Sequence, residues 1–140
     1  MKVLIDTNVM LDFILRREPY YANAAKINIL SEKGYICGYI SASAVTDIFY
    51  IIKKELKNKD AVLVLIKNIL KTIRIASVTE SGIHEALELD WDDFEDSVQY
   101  IVGQSISADY IITRNSIDFA GSQIKVVSPD EFLNKITSQE

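Results

Sequence analysis

The stretch Lys2-Val3-Leu4-Ile5-Asp6-Thr7-Asn8 decides the fold. Its apolar run, residues 3–5, lacks polar alternation, which is typical of a strand covered on both faces. Asp6 ends the run, and residues 9–15 then follow an apolar pattern of helical type. In open α/β folds, ligands bind beyond the carboxyl ends of the strands, so Asp6 is a candidate site residue. It can equally be a helix N-cap, which is a common role for Asp.

The composition predicts one compact domain over residues 1–140. The chain has 140 residues, of which 49% are hydrophobic, with five glycines and two prolines. That length suits a single core with regular elements and short loops. The formal net charge of -5 argues against broad coating of nucleic acid. It permits a nuclease whose acids gather at one metal site.

Cysteine and histidine are nearly absent, with Cys37 and His84 alone. An internal disulfide and a structural zinc site are therefore excluded. The lack of disulfides fits a reducing cytoplasm. The chain begins directly with a strand, and no apolar run approaches the roughly 18 residues of a membrane helix. We expect a cytoplasmic protein without membrane association.

Strand-type runs alternate with helical patterns along the chain. The predicted strands are residues 3–5, 35–40, 73–78, 110–113 and 123–127. This alternation predicts an α/β fold with a mostly parallel sheet and helices on both faces. Asp60 is predicted to cap the helix that ends near residue 72, and Ser128 to cap a helix that begins at Pro129. Residues 137–140 are expected to fray.

Four aspartates from separate parts of the chain are expected at one edge of this sheet. Segments that follow parallel strands, and the first turns of the helices that return to the sheet, share one rim. On that rule Asp6, Asp47, Asp96 and Asp118 converge, and Asp93 can share a face with Asp96. Oxygen-only ligands suit Mg²⁺ or Mn²⁺, which would remove the repulsion between the carboxylates. Such a cation can activate water and stabilise charge at a phosphate.

Each of these acids also has an ordinary structural explanation. Asp47 can belong to a polar helical stripe with Ser43. Asp96 lies in the acidic run of residues 90–96, and such runs usually form a solvated face. Asp118 alone is typical of a turn. A catalytic or metal-binding role for these acids therefore requires that they lie together in the folded protein.

Four segments resemble, in order, the four motifs of the PIN-domain nucleases. They are residues 2–9, 41–47, 94–97 and 113–119. The resemblance spans nearly the whole chain and implies a PIN-like three-layer sandwich with a five-stranded parallel sheet in the order 3-2-1-4-5. It implies Mg²⁺- or Mn²⁺-dependent endoribonuclease activity on single-stranded RNA, with the four aspartates as catalytic and metal-binding residues. It also implies the toxin of a toxin–antitoxin pair, with an antitoxin protein as partner and a homodimeric assembly.

The resemblance extends to supporting residues and has one departure. Thr113 and Asn115 match positions that help to orient the acids or the water, and Asn8 and Asp93 are further supporting candidates. The acid of the second motif is usually Glu, but here it is Asp47, which is one methylene shorter. Asp47 is therefore expected to contact the metal through water instead of directly.

Several surface roles are predicted as well. The candidates for contact with the RNA backbone are Arg16, Arg17, Lys54 and Arg114, although basic surface residues mostly serve solubility. Asp12 and Arg16 are expected to form a solvated pair at helical spacing. The apolar positions expected to be exposed, for a dimer or an antitoxin, are Val9, Phe13 and Ile27.

Two other functions stay open at this point. One is a PIN-fold protein-binding module with weakened catalysis, which the shorter Asp47 motivates. The other is a phosphatase with Asp6 as nucleophile. The Asp-Thr-Asn spacing suggests it weakly, because Asn8 stands where such phosphatases usually carry a second acid.

Overall fold

Five parallel strands form the central sheet, in the order β3-β2-β1-β4-β5. The computed structural model describes residues 1–138. Its strands are Lys2–Ile5 (β1), Cys37–Ser41 (β2), Arg74–Ala76 (β3), Tyr110–Ile112 (β4) and Lys125–Val127 (β5). The predicted α/β class, parallel pairing and strand order are confirmed. Four strands are shorter than predicted, mainly β3 and β5, whereas β1 is one residue longer.

Helices cover both faces of this sheet. They are Thr7–Ile14 (α1), Tyr21–Glu32 (α2), Ala42–Leu56 (α3), Lys59–Ile69 (α4), Glu80–Glu88 (α5), Phe94–Ser105 (α6) and Pro129–Ser138 (α7), with a 3₁₀ helix at Ser116–Phe119. Val3 and Ile5 of β1 pack in the core formed with α1 to α4 and α7, whereas Leu4 packs with α5 and α6. All three residues are fully buried. Because side chains alternate along a strand, an uninterrupted apolar run is what this central strand requires.

Side-chain caps begin several of the helices. The Ser128 hydroxyl accepts a hydrogen bond from the Glu131 amide at 3.1 Å, as predicted for α7. The predicted cap Asp60 is wrong, because the Asn58 side chain caps α4 at the Ala61 amide. Asp60 instead occupies the first turn, where a carboxylate still suits the helix dipole. Of the predicted frayed tail, residues 137 and 138 belong to α7, and residues 139 and 140 lie outside the described residues.

The predicted solvated pair of Asp12 and Arg16 is wrong. Asp12 is 1% exposed, and its partner is Arg114 after β4, with Nε 2.8 Å from Oδ2 and Nη2 donating to Oδ1 at 3.3 Å. The contact between Arg114 Nε and Asp12 Oδ2 is an ion pair without a hydrogen bond. The guanidinium also stacks 4.0 Å from the centre of the Tyr20 ring. Burial raises the pKa of Asp12, while the charge and hydrogen bond of Arg114 oppose that shift.

The predicted exposure of apolar residues is also largely wrong. Val9 and Ile27 are fully buried in the core, because both face the sheet. Phe13 is half-buried and stacks on Tyr21 with ring centres 6.3 Å apart. Both rings line a groove of about 550 Å³, which Leu65 and Ile69 also line. None of the helices in residues 1–138 combines the length and the apolar character needed to cross a bilayer.

Replacing Arg114 with Leu should destabilise the protein by about 2–4 kcal/mol, because the buried Asp12 carboxylate would lose its close partner. Arg17→Leu is the matched control, since Arg17 stands 3.9 Å from the same carboxylate and should cost under about 1 kcal/mol. Urea unfolding measures both losses. The double variant Asp12→Leu/Arg114→Leu should recover most of the lost stability. Equally small losses in both single variants would show that Asp12 is neutral in the folded protein.

Candidate active site

A cavity of about 460 Å³ lies where β1 and β4 end. Its carboxylates are Asp6, Asp47, Asp93, Glu95, Asp96 and Asp118. No basic residue lines it in the part of the chain that the structure describes. The structure thus brings together the four aspartates that the sequence placed at one edge and the supporting candidate Asp93, and it adds Glu95. Asn8, Thr113 and Asn115 line the same cavity.

Asp6 is the most firmly held of these acids. It is 5% exposed and occupies the N-cap position of α1, but its side chain makes no cap hydrogen bond. Instead, Gln99 Nε2 donates to Oδ1 at 3.0 Å and Thr113 Oγ1 donates to Oδ2 at 2.8 Å. The capping explanation therefore fails for the carboxylate, although the Asp6 carbonyl accepts the amide of Val9 at 3.0 Å.

Thr113 also connects Asp6 to the loop that carries Asp118. The Asn115 amide donates to Thr113 Oγ1 at 3.1 Å, and the Asp118 amide donates to the Asn115 carbonyl at 3.0 Å. Asp118 lies in the short 3₁₀ helix Ser116–Phe119, which agrees with its preference for a turn. These hydrogen bonds fix Asp118 relative to the end of β4.

Asp93 and Asp96 lie at the start of α6 and have different roles. The Asp93 carboxylate caps the helix by accepting the Asp96 amide at 3.0 Å. Asp96 lies half-buried in the first turn. Burial, followed by the charges of Asp93, Asp6, Asp118 and Glu95, raises the pKa of Asp96 to about 7. Burial and the neighbouring carboxylates therefore favour the protonated form of Asp96 when no cation is present.

Glu95 is a site residue that the sequence reasoning passed over within the acidic run. Burial, together with the charge of Asp47 and a hydrogen bond to it, raises the pKa of Glu95 to about 7. The Thr7 hydroxyl donates to Glu95 at 3.2 Å and partly opposes the shift. Gln99 was missed as well. Helical spacing gives a signal for both, because Gln99 follows Glu95 by four residues and Asp96 by three, which places them on one face.

The four basic candidates for RNA contact lie outside this cavity. Arg17 and Arg114 contact Asp12, while the Arg16 guanidinium lies 5.8 Å from the centre of the Tyr21 ring. Lys54 is exposed on α3, beyond the turn that carries Asp47. Their contact with RNA stays a prediction, and Arg114 has a structural role in addition.

The donor set of the cavity fits a hard divalent cation. Its polar groups are carboxylate, hydroxyl and amide groups, with no imidazole or thiolate among the described residues. No three acid, His or Cys side chains in residues 1–138 are already arranged to hold a metal ion. A cation would therefore have to draw the carboxylates closer together, and it would offset the repulsion that, together with burial, raises the pKa of Glu95 and of Asp96.

Comparison with known proteins identifies relatives of this arrangement. The family model described as the PIN domain matches residues 2–116. No curated protein sequence matches the chain. The structure VapBC-1 from nontypeable Haemophilus influenzae is 13% identical and superposes with a TM-score of 0.71, over 93% of this chain and 99% of that chain. At this low sequence identity, the structural similarity establishes the shared fold and nothing further.

Two further solved structures are similar. A toxin–antitoxin complex from Klebsiella pneumoniae is 21% identical with a TM-score of 0.66, over 91% of this chain and 97% of that chain. Mycobacterium tuberculosis VapC20, described as a toxin that cleaves the sarcin–ricin loop, is 14% identical with a TM-score of 0.62, over 78% of this chain and 86% of that chain.

Without metal ions, the protein should lose stability as the pH rises from about 5 to 8. The ordinary pKa values of Glu95 and Asp96 are 4.5 and 3.8, and both are about 7 in the folded protein. Between these values the folded state keeps protons that the unfolded state has released, so rising pH favours unfolding. Allowing for solvent screening, the loss should be roughly 1 kcal/mol for each carboxyl. Urea unfolding in EDTA at the two pH values measures it.

Asp96→Asn should reduce this pH dependence and raise the stability at pH 8. Asp92→Asn is the control, because Asp92 is exposed in the same acidic run and does not line the cavity. A wild-type protein that is equally stable at both pH values would contradict the proposed repulsion.

Proposed function

Because the chain belongs to the PIN-domain family, we propose that it is a metal-dependent endoribonuclease that hydrolyses phosphodiester bonds of single-stranded RNA. We further propose that it is the toxin of a toxin–antitoxin pair. The observation that carries the proposal is the cavity lined by six carboxylates and by no basic residue among those described. Such a cavity repels phosphate unless a cation is present, so activity should depend strictly on metal.

Asp6, Asp47, Asp96 and Asp118 would hold Mg²⁺ or Mn²⁺, the ions that suit oxygen ligands. Once bound, the cation would activate a water as nucleophile and stabilise the charge that develops on the phosphate. The protein supplies orientation. Asp6 is fixed from two sides, and Thr113 links it to the loop of Asp118.

Glu95 can compensate for the presence of Asp47 where the second motif usually has Glu. Both carboxyl groups line the cavity, and Asp47 contributes to the raised pKa of Glu95. A second, longer acid beside Asp47 supplies the reach that the missing methylene removes. We propose that this pair together does the work of the Glu that is usual in the second motif.

Single-stranded RNA also needs surfaces for its bases. Tyr50 lines the cavity one turn after Asp47 and is 63% exposed. An exposed ring beside a phosphate site is suited to base stacking, which is tolerant of sequence. Arg16 and Lys54 are exposed, and they can contact the phosphate backbone of the RNA at a distance from the cavity.

A partner protein and a dimer belong to the same proposal. The Klebsiella structure is described as a toxin–antitoxin complex, and this chain has an apolar groove that contains the Phe13 and Tyr21 rings. We propose a protein antitoxin as partner, a homodimer as assembly and the cytoplasm as location. Light scattering of the purified chain distinguishes a dimer from a monomer.

A PIN-fold protein-binding module with weakened catalysis is the second candidate. It is favoured by Asp47 and by the absence, in residues 1–138, of acids already arranged for a cation. The phosphatase with Asp6 as nucleophile has less support, because Asn8 stands where such phosphatases usually carry a second acid.

Wild-type protein should cleave single-stranded RNA with Mn²⁺ and be inactive in EDTA. Asp6→Asn and Asp96→Asn should each lower the cleavage rate at least about 100-fold, because each removes charge that the cation needs. Asp92→Asn should cleave at the wild-type rate. Gel analysis of labelled RNA gives the rates. Equal cleavage by wild type and Asp6→Asn would reject the nuclease and leave the binding module.

Glu95→Gln should lower the cleavage rate about tenfold, since it removes the charge that supports Asp47. Glu88→Gln, at an exposed position near the end of α5, is the matched control and should have no effect. Rates measured over a range of Mn²⁺ concentrations test the shared role of Glu95 and Asp47. An unaffected rate in Glu95→Gln would exclude Glu95 from the site.

A further inference from the structure

Gln99 is a polar side chain in an apolar position. It lies on α6, is 1% exposed, and has Val98 and Tyr100 as buried neighbours. Its Nε2 donates to Asp6 Oδ1 at 3.0 Å across 93 residues of sequence. Its Oε1 is buried and has no hydrogen-bond partner in the part of the chain that the structure describes.

The orientation of this amide follows from chemistry. Only the nitrogen of an amide can donate a hydrogen bond, so the nitrogen must face the carboxylate oxygen of Asp6 and the oxygen must face away. The buried Oε1 then lacks a partner, which costs stability. An apolar side chain of similar size would avoid that cost. The contact with Asp6 is what Gln provides at this position and Met or Leu would not.

Gln99 and Thr113 hold the Asp6 carboxylate from opposite elements. Gln99 donates from α6 to Oδ1, and Thr113 donates from the end of β4 to Oδ2. Each carboxylate oxygen has a second lone pair that remains free for a cation. Gln99 also ties Asp6 to the helix that carries Glu95 and Asp96. This amide therefore contributes to the relative positions of three acids.

We propose that Gln99 is a positioning residue that fixes the Asp6 carboxylate for a divalent cation. This inference rests on the cation of the proposed function, and it assigns Gln99 no contact with RNA. Groups that orient metal ligands typically change metal affinity 10- to 100-fold when they are removed. Gln99 should therefore affect cation binding far more than folding.

Calorimetric titration with Mn²⁺ alone tests the proposal. Gln99→Met should weaken Mn²⁺ binding about tenfold. Its Tm in EDTA should stay within about 3 °C of wild type, because the lost hydrogen bond and the removed unpartnered oxygen oppose each other. Gln104→Met is the matched control. Gln104 is exposed on the same helix, and its amide donates to the Tyr100 hydroxyl at 2.9 Å. Its Mn²⁺ affinity should equal that of wild type.

RNA cleavage supplies an independent readout. At low Mn²⁺, Gln99→Met should lower kcat about tenfold and leave the KM for RNA unchanged, because Gln99 acts through Asp6. Raising the Mn²⁺ concentration should restore most of the rate, whereas a misfolded variant would not recover. Gln99→Leu should behave in the same way.

The outcomes separate this inference from the proposed function. Mn²⁺ affinity within twofold of wild type in Gln99→Met and Gln99→Leu would overturn it, even if wild type cleaves RNA. A fall in Tm above about 10 °C with unchanged Mn²⁺ affinity would show a structural role instead. A third outcome is that the wild-type protein binds Mn²⁺ but cleaves no RNA, while Gln99→Met binds Mn²⁺ more weakly than wild type. In that case the positioning role stands and the nuclease proposal fails.

Discussion

Repulsion between carboxylates at one end of the sheet is the constraint on which this structure depends. The fold brings six of them to one cavity and supplies no basic side chain there from the described residues. Burial, together with this repulsion, raises the pKa of Glu95 and of Asp96 to about 7. The Asp6 carboxylate instead accepts one hydrogen bond from Gln99 and one from Thr113. A cavity of this kind lowers the stability of the metal-free protein and favours a divalent cation.

The packing of the surrounding framework opposes this repulsion. Val3, Leu4 and Ile5 are fully buried on alternate faces of β1, between two separate helical layers. Asp6 follows this strand directly, so its backbone cannot move away from the other acids without disturbing both layers. The Asp12–Arg114 pair adds a second connection between α1 and the segment after β4. The stabilisation that the hydrophobic core provides thus offsets the destabilisation that the clustered carboxylates cause.

The sequence predicted what depends on local pattern or on ordered motifs. The apolar run before Asp6 and the alternation of elements indicated a parallel sheet, and the four motifs indicated its strand order. The side-chain partners escaped prediction because they are distant in sequence. Gln99 reaches Asp6 across 93 residues, and Arg114 reaches Asp12 across 102. Val9 and Ile27 were misjudged because helical periodicity does not show which face of a short helix meets the sheet.

The spread of the acids along the chain has a consequence for the order of folding. Asp6 directly follows β1, whereas Asp118 follows β4, which lies about 100 residues later in the chain. The sheet cannot bring these acids together before β4 has paired with β1. Because this pairing joins distant parts of the chain, the cavity forms only with the fold as a whole, and a partly folded chain lacks it.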